Sequence, residues 1–260
     1  MSDLHGVRIV LTRESGRAES WANTITERNG VPVLVPLVRT RAVQGSRRSA
    51  AMKALNELTS QKATVALGFA SANAVDHWLS LKSELPEGLK ISKVFAVGEA
   101  TAKRAQELGD AVQVAEQADA VGLAEAIVSG CDAATQVVLP RAVGGRNEGV
   151  ELLKQKGRRV HALDVYQTVP VRSPESSDTQ PASWVISASP SAVRAYGWHR
   201  AAMMRIGVVV PNTHHAVIGS TTGQAALEVG VTVHAISKTP TIESILDTIG
   251  SAPPVRVEAV

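Results

Sequence analysis

The chain is written twice. RIVLTR at 8–13 returns as QVVLPR at 136–141, which sets Arg13 against Arg141 at an offset of 128. Gly30 and Gly157 follow at 127, each leading into a Val-containing run. FASANAV (69–75) is echoed by SASPSAV (187–193), with Ser71 opposite Ser189 at 118. AVGEATAKRAQELG (96–109) is echoed by VIGSTTGQAALEVG (217–230), so Gly98, Thr101 and Gly109 match Gly219, Thr222 and Gly230 at 121. Leu123 and Ile127 match Ile245 and Ile249 at 122. Landmarks in one order, at offsets drifting by only ten residues, describe a duplication. The chain therefore has to build two equivalent units of about 120 residues, a normal domain size.

Each copy alternates short β-branched runs with helical stretches. Strands are expected at 8–11, 31–35, 64–69, 93–97 and 112–114. Helices are expected at 19–28, 50–58, 101–108, 121–128 and 192–200, and from the spacing of Ala74, Val75, Trp78 and Leu79. Gly30 reads as the left-handed residue closing the first helix. Such alternation means βαβ units, hence parallel sheets covered by helices on both faces. QGSRRS (44–49) reads as a loop, and the Ser-, Pro- and Asp-rich stretch 173–181 as a linker. The offsets leave open whether each copy folds on itself or the copies exchange their first βαβ unit.

Composition removes several classes of function. A net charge of +3 in 260 residues is far from a nucleic-acid-coating surface, and 3% aromatics cannot build a base-stacking platform. No apolar run approaches the ~20 residues of a membrane span. The N-terminal MSDLHGVRIV leads into a strand without a basic-then-apolar leader, and the lone Cys131 forms no disulfide or cysteine cage. A cytoplasmic α/β protein is the expectation.

GxGxxG, P-loop, HExxH, GxSxG and paired-Cys signatures are all missing. What remains are the turns where strands pass into helices: Thr12-Arg13, Ser71-Ala72-Asn73, Gly98-Glu99-Ala100-Thr101, and their second-copy partners. Ligands of open parallel sheets bind at that edge, where helix N-termini offer amides to carboxylates. Arg13, Arg141 and Arg146 stand nearest, and guanidinium suits carboxylates. The substrate-binding set is therefore Arg13, Ser71, Ala72, Gly98, Arg141, Ser189, Ser191, Gly219 and Thr221. Two such edges facing each other would form a cleft for a large polyanion. Ser71 and Ser189 read most simply as helix caps. His214 and His215, adjacent on a strand, point to opposite faces and make a poor metal pair. Arg47-Arg48 and Arg158-Arg159 read as solvated faces, and Cys131 as an inert thiol.

The ordered series LTR, GVPVLVP, FASANAV, VGEATA, VY, SASPSAV and IGSTTG resembles the uroporphyrinogen-III synthase family over about residues 8–249. The resemblance implies two flavodoxin-like parallel-sheet domains, 1–35 plus 171–260 and 36–170, joined by a two-stranded β linker near 37–43 and 163–169. It implies a cofactor-free, metal-free lyase of haem biosynthesis. That enzyme takes hydroxymethylbilane, expels its terminal hydroxyl as water, and closes the ring to uroporphyrinogen III with inversion of the last pyrrole. It implies a monomer that meets hydroxymethylbilane synthase transiently and binds neither nucleic acid nor membrane. Tyr166, in the Val-Tyr motif, becomes the first candidate to assist departure of the hydroxyl, because a phenol is protonated at neutral pH. Thr101 and Thr222 come second, as hydroxyl or N-cap donors. Ala70, Ala188 and Pro140 stand where the family's turns carry Thr, and Ala72 where Pro is common. These departures weaken the case for hydroxyl chemistry there and leave amide binding intact. A two-domain module that binds a tetrapyrrole or a small anion without turnover stays open as the alternative.

Overall fold

The computed structural model describes residues 3–109 and 111–252. In chain order its elements are β1 (Arg8–Leu11), α1 (Ser15–Glu27), β2 (Val31–Leu34), β3 (Val38–Ala42), α2 (Gly45–Ser60), β4 (Thr64–Phe69), α3 (Ala72–Leu79), β5 (Lys90–Ala96), α4 (Glu99–Ala105) and β6 (Val112–Val114). There follow α5 (Ala120–Gly130), β7 (Gln136–Ala142), α6 (Glu148–Gln155), β8 (Val160–Pro170), β9 (Trp184–Ser187), α7 (Pro190–Arg205), β10 (His214–Val217), α8 (Ser220–Glu228), β11 (Ala235–Ile236) and α9 (Ile242–Gly250).

Two compact units result, with boundaries between Arg39 and Thr40 inside β3 and between Thr168 and Val169 inside β8. Residues 1–2, 110 and 253–260, which the expected domains include, lie outside the described residues. The first unit holds a sheet in the order β11-β10-β9-β1-β2, and the second a sheet in the order β3-β8-β7-β4-β5-β6. Pairing is parallel throughout the first sheet, and between β8, β7, β4, β5 and β6 in the second.

The strand orders settle the question the offsets left open: the copies are exchanged. β1-α1-β2, from the first copy, pairs through β1 with β9 of the second, Ile9 lying opposite Trp184 and Leu11 opposite Ile186. Reciprocally, β7-α6-β8 pairs through β7 with β4, Val65 lying opposite Gln136.

Period-2 alternation divides each core into two layers. In the first unit Val10, Val185, Val193 and Tyr196 pack on one face, while Ile9, Leu11, Ile25 and Trp184 pack on the other. In the second, Val65, Leu67, Phe69 and Trp78 oppose Ala66, Phe95, Leu123 and Ile127.

Three expectations need correction. Gly30 is not the left-handed closing residue of α1; Asn29 takes that conformation at φ 59°. Gly30 is needed for close approach instead, since a Cβ there would lie 2.8 Å from Ile25 Cγ2 and 2.9 Å from Leu4 Cδ1. The segment 44–49 is not a loop: α2 starts at Gly45, and its polar first turns are tolerated because only Ala51, Leu55 and Leu58 are buried. Arg48 and Arg158 are not merely solvated. Arg48 pairs with Glu84. Arg158 Nη2 donates to the carbonyls of Val128 and Cys131, both at 2.8 Å, tying down the end of α5.

Candidate active site

In a doubly wound sheet the crevice opens where strand order reverses. In the second unit the chain runs β4, β5, β6 to one side and then β7, β8 to the other, so the reversal lies between β4 and β7. Ala70 and Ser71 follow β4 there, and Pro140 and Arg141 end β7. In the first unit the reversal lies between β1 and β9, which carry Thr12-Arg13 and Ala188-Ser189 at their ends.

Tyr166, near the end of β8, is 7% exposed and reaches the second unit's reversal point. Its Oη lies 3.2 Å from Ser71 Oγ. Ser71 is the N-cap of α3, and its Oγ accepts the Ala74 amide at 3.2 Å. With that lone pair occupied, the Ser71 hydroxyl can donate to Tyr166 Oη, which leaves the phenolic hydrogen for another acceptor. The His77 ring stacks on Tyr166 with centroids 4.9 Å apart and planes 8° apart, fixing the ring's orientation.

Arg141 pairs in register with Asp164 across β7 and β8. Its Nε donates to Asp164 Oδ1 at 3.1 Å and its Nη1 to Asn147 Oδ1 at 2.6 Å. Beside it a cavity of about 60 Å³ is lined by Gly68, Ala70, Leu139, Pro140, Arg141 and Arg146, among others. Ala70 and Pro140 thus form apolar wall in a cavity that two arginines also line.

In the first unit the Arg13 guanidinium lies 4.2 Å from the centre of the Trp21 ring. Ser189 caps α7 by accepting the Ala192 amide at 3.2 Å, with Pro190 and Ser191 in the first turn. Ala72, Gly98, Ser191 and Gly219 are half-buried and Thr221 is exposed. A Cβ at Gly219 would meet nothing within 4 Å, so internal packing does not require glycine there. Thr101 and Thr222 are not caps: Gly98 and Gly219 hold those positions, and both threonines are buried third residues of their helices.

Two groupings escaped the sequence reading. One is His77 with Tyr166. The other is a buried chain in the first unit: Thr12 Oγ1 donates to the Ile186 carbonyl at 2.9 Å and lies 3.5 Å from Ser187 Oγ, itself 2.9 Å from His215 Nε2. Ser187 is fully buried, so this Ser–His pair is no nucleophile. Burial, with smaller contributions from His234 and Arg200, pushes the His215 pKa down to about 3. His214 faces the other way, edge-on to Trp184 and stacked on His234, as two neighbours on a strand must. Among the described residues, no group of three or more His, Cys, Asp and Glu could hold a metal, and no helix is long and apolar enough to cross a membrane.

Two doubly wound parallel sheets with small, polar and basic turns at both reversal points define a two-domain α/β protein. The chain belongs to the uroporphyrinogen-III synthase family: the family model HEM4, uroporphyrinogen-III synthase HemD, matches residues 19–247. Its fold is similar to that of uroporphyrinogen-III synthetase from Helicobacter pylori 26695, at 18% identity and TM-score 0.55, covering 93% of this chain and 97% of that one. A mutant uroporphyrinogen III synthase from the extremely thermophilic bacterium Thermus thermophilus aligns at 16% identity and TM-score 0.46, over 94% and 97% of the two chains. No curated protein matches the sequence significantly.

Proposed function

We propose that this protein catalyses the cyclisation of hydroxymethylbilane to uroporphyrinogen III. Family membership supports the substrate class. The observation that carries the reaction is the Ser71–Tyr166 contact at the reversal point of the second sheet.

The chemistry asks for positioning more than for a strong acid. The lone pair of the terminal pyrrole nitrogen expels the hydroxyl, and Tyr166 Oη–H donates to the departing oxygen, which leaves as water. The azafulvene cation is attacked by the substituted carbon of the last pyrrole. The spiro intermediate fragments, the ring re-closes at the free α-carbon of that pyrrole, now inverted, and the hydrogen of that carbon leaves as the proton that restores the Tyr166 phenol. In the second unit the amides of α3 and the guanidiniums of Arg141 and Arg146 hold substrate carboxylates, and Arg13 and the α7 amides offer the same chemistry at the first unit's own reversal point. Proximity and preorganised donors then supply most of the rate. The apolar wall of Ala70 and Pro140 suits a pyrrole ring whose acid side chain reaches Arg146.

The test generates hydroxymethylbilane in situ and separates the product isomers after oxidation. The expected product is the type III isomer. Formation of the type I isomer alone, which is the spontaneous product, overturns the reading and leaves a tetrapyrrole-binding protein without turnover.

A further inference from the structure

The first unit holds a second polar cavity at the opposite end of its strands from Ser189 and Gly219. It has a volume of about 310 Å³ and lies among Tyr196 and Arg200 of α7, Thr213 just before β10, His215 in it, and Thr232 and His234 beyond α8. At about 30 Å³ per water molecule, that is room for roughly ten waters. No Asp or Glu lines it. Nor does any acidic group among the described residues form an ion pair with Arg200, whose guanidinium lies beside the Tyr196 hydroxyl.

Hydrogen-bond directions give the cavity a consistent sign. His234 Nδ1 accepts the His215 amide at 3.1 Å, so the neutral ring carries its hydrogen on Nε2. Thr12 gives its hydroxyl hydrogen to the Ile186 carbonyl at 2.9 Å. The Ser187 hydroxyl therefore has two acceptors within reach, His215 Nε2 at 2.9 Å and Thr12 Oγ1 at 3.5 Å, and the nearer takes it. That places the hydrogen of neutral His215 on Nδ1. His215 is 2% exposed and this Nδ1 has no partner among the described residues. The His215 ring stands edge-to-face with Tyr196, centroids 4.4 Å apart, so it forms a fixed wall of the cavity. Of the carbonyls ending α8, Ala226 O is covered by the amides of Val229 and Val231, and Leu227 O by that of Gly230. The cavity thus combines the Arg200 cation, the His234 ring donor and no carboxylate.

We propose that this cavity is a second binding site, separate from the candidate active site, and that it takes a phosphate group, free or at the end of a small phosphate monoester. Arg200 supplies the charge, the His234 ring N–H supplies direction, and His215 forms the wall behind them. The inference does not rest on the synthase reading.

The experiment follows histidine ring resonances of the ¹⁵N-labelled full chain while inorganic phosphate, and separately glycerol 3-phosphate, is titrated at constant ionic strength. Saturable shifts of His215 and His234 are expected. Arg200→Gln should weaken binding at least tenfold with an unchanged melting temperature, and His234→Gln should weaken it severalfold. Arg13→Gln, at the other end of the same sheet, should bind like the wild type. Tighter binding of one probe names the source of the phosphate. Absence of saturable shifts with both probes, or wild-type affinity in both cavity variants, overturns the proposal. Arg200→Gln should leave isomer formation unchanged, so a protein inactive as a synthase can still pass this test.

Discussion

Ser71 Oγ caps α3 through the Ala74 amide and at the same time lies 3.2 Å from Tyr166 Oη, so one hydroxyl serves both helix and phenol. The two roles predict separable effects. Tyr166→Phe should lower turnover about 10–100-fold, the size of losing one assisting donor, without changing the melting temperature much. Ser71→Ala should cost about 1 kcal/mol of stability as a lost cap, with a smaller fall in turnover, because the phenol keeps its own hydrogen. Isomer-resolved rates alongside urea unfolding check both. Unchanged turnover in Tyr166→Phe would mean that positioning alone suffices.

Arg141 and Arg13 should act on binding. Arg141 is already held by Asp164 and Asn147, which orients it before substrate arrives. Replacing either arginine with Ala should raise KM more than it lowers kcat, the pattern of a contact made equally in ground and transition states. Asp164→Asn should do the reverse to KM by removing a competing carboxylate. Steady-state kinetics at constant ionic strength decide it, and a fall confined to kcat would contradict a binding role.

Much of this arrangement was visible in the sequence, and the limits are physical. Strand starts and helix turns are local, written in β-branched runs and in Gly, Ser and Thr at fixed offsets, so β4 and β6 fell where expected. Exchange of the βαβ units was not legible, because β1 could pair with β4 or with β9. Those two candidates are apolar runs, Val65–Phe69 and Trp184–Ser187, buried along their whole length. Ser187 is the one polar residue on either run, and it lies just past the Ile9–Leu11 pairing, so it does not distinguish them. The Ser71–Tyr166 contact spans 95 residues and depends on that strand order. The Ser187–His215 pair is a diagonal neighbour contact, since Val217 is the register partner of Ser187 and His215 lies two residues earlier on the same face. Only the register reveals it.

Gly30 and Asn29 divide a task that the sequence assigned to the glycine alone. Gly30→Ala should destabilise by about 1–3 kcal/mol, because its methyl would meet Ile25 Cγ2, Leu4 Cδ1 and, at 3.2 Å, the Ile25 carbonyl. Asn29→Gly should be neutral to within a few tenths of a kcal/mol, since glycine adopts φ 59° freely and loses more entropy on folding. Urea midpoints of the two variants test the division, and equal losses would refute it.

His215 should make the first unit sensitive to mild acid. Its folded pKa is about 3, against 6.5 for a free imidazole, because burial disfavours the charged ring. Above pH 6.5 both folded and unfolded states are neutral, and the stability of the fold is undiminished. Below it the unfolded chain takes up a proton that the folded ring refuses, so stability falls as pH drops from about 6.5 towards 3, by about 1.4 kcal/mol per unit for this group. His234 is lowered by burial as well and acts in the same direction. His215→Gln removes the titrating ring while keeping an amide that can reach Ser187. The variant should be less stable than the wild type at pH 7.5. Its further loss between pH 7.5 and pH 5 should be about 2 kcal/mol smaller than that of the wild type, measured by urea unfolding. Parallel pH profiles for the two proteins would show that the ring is not held neutral by the fold.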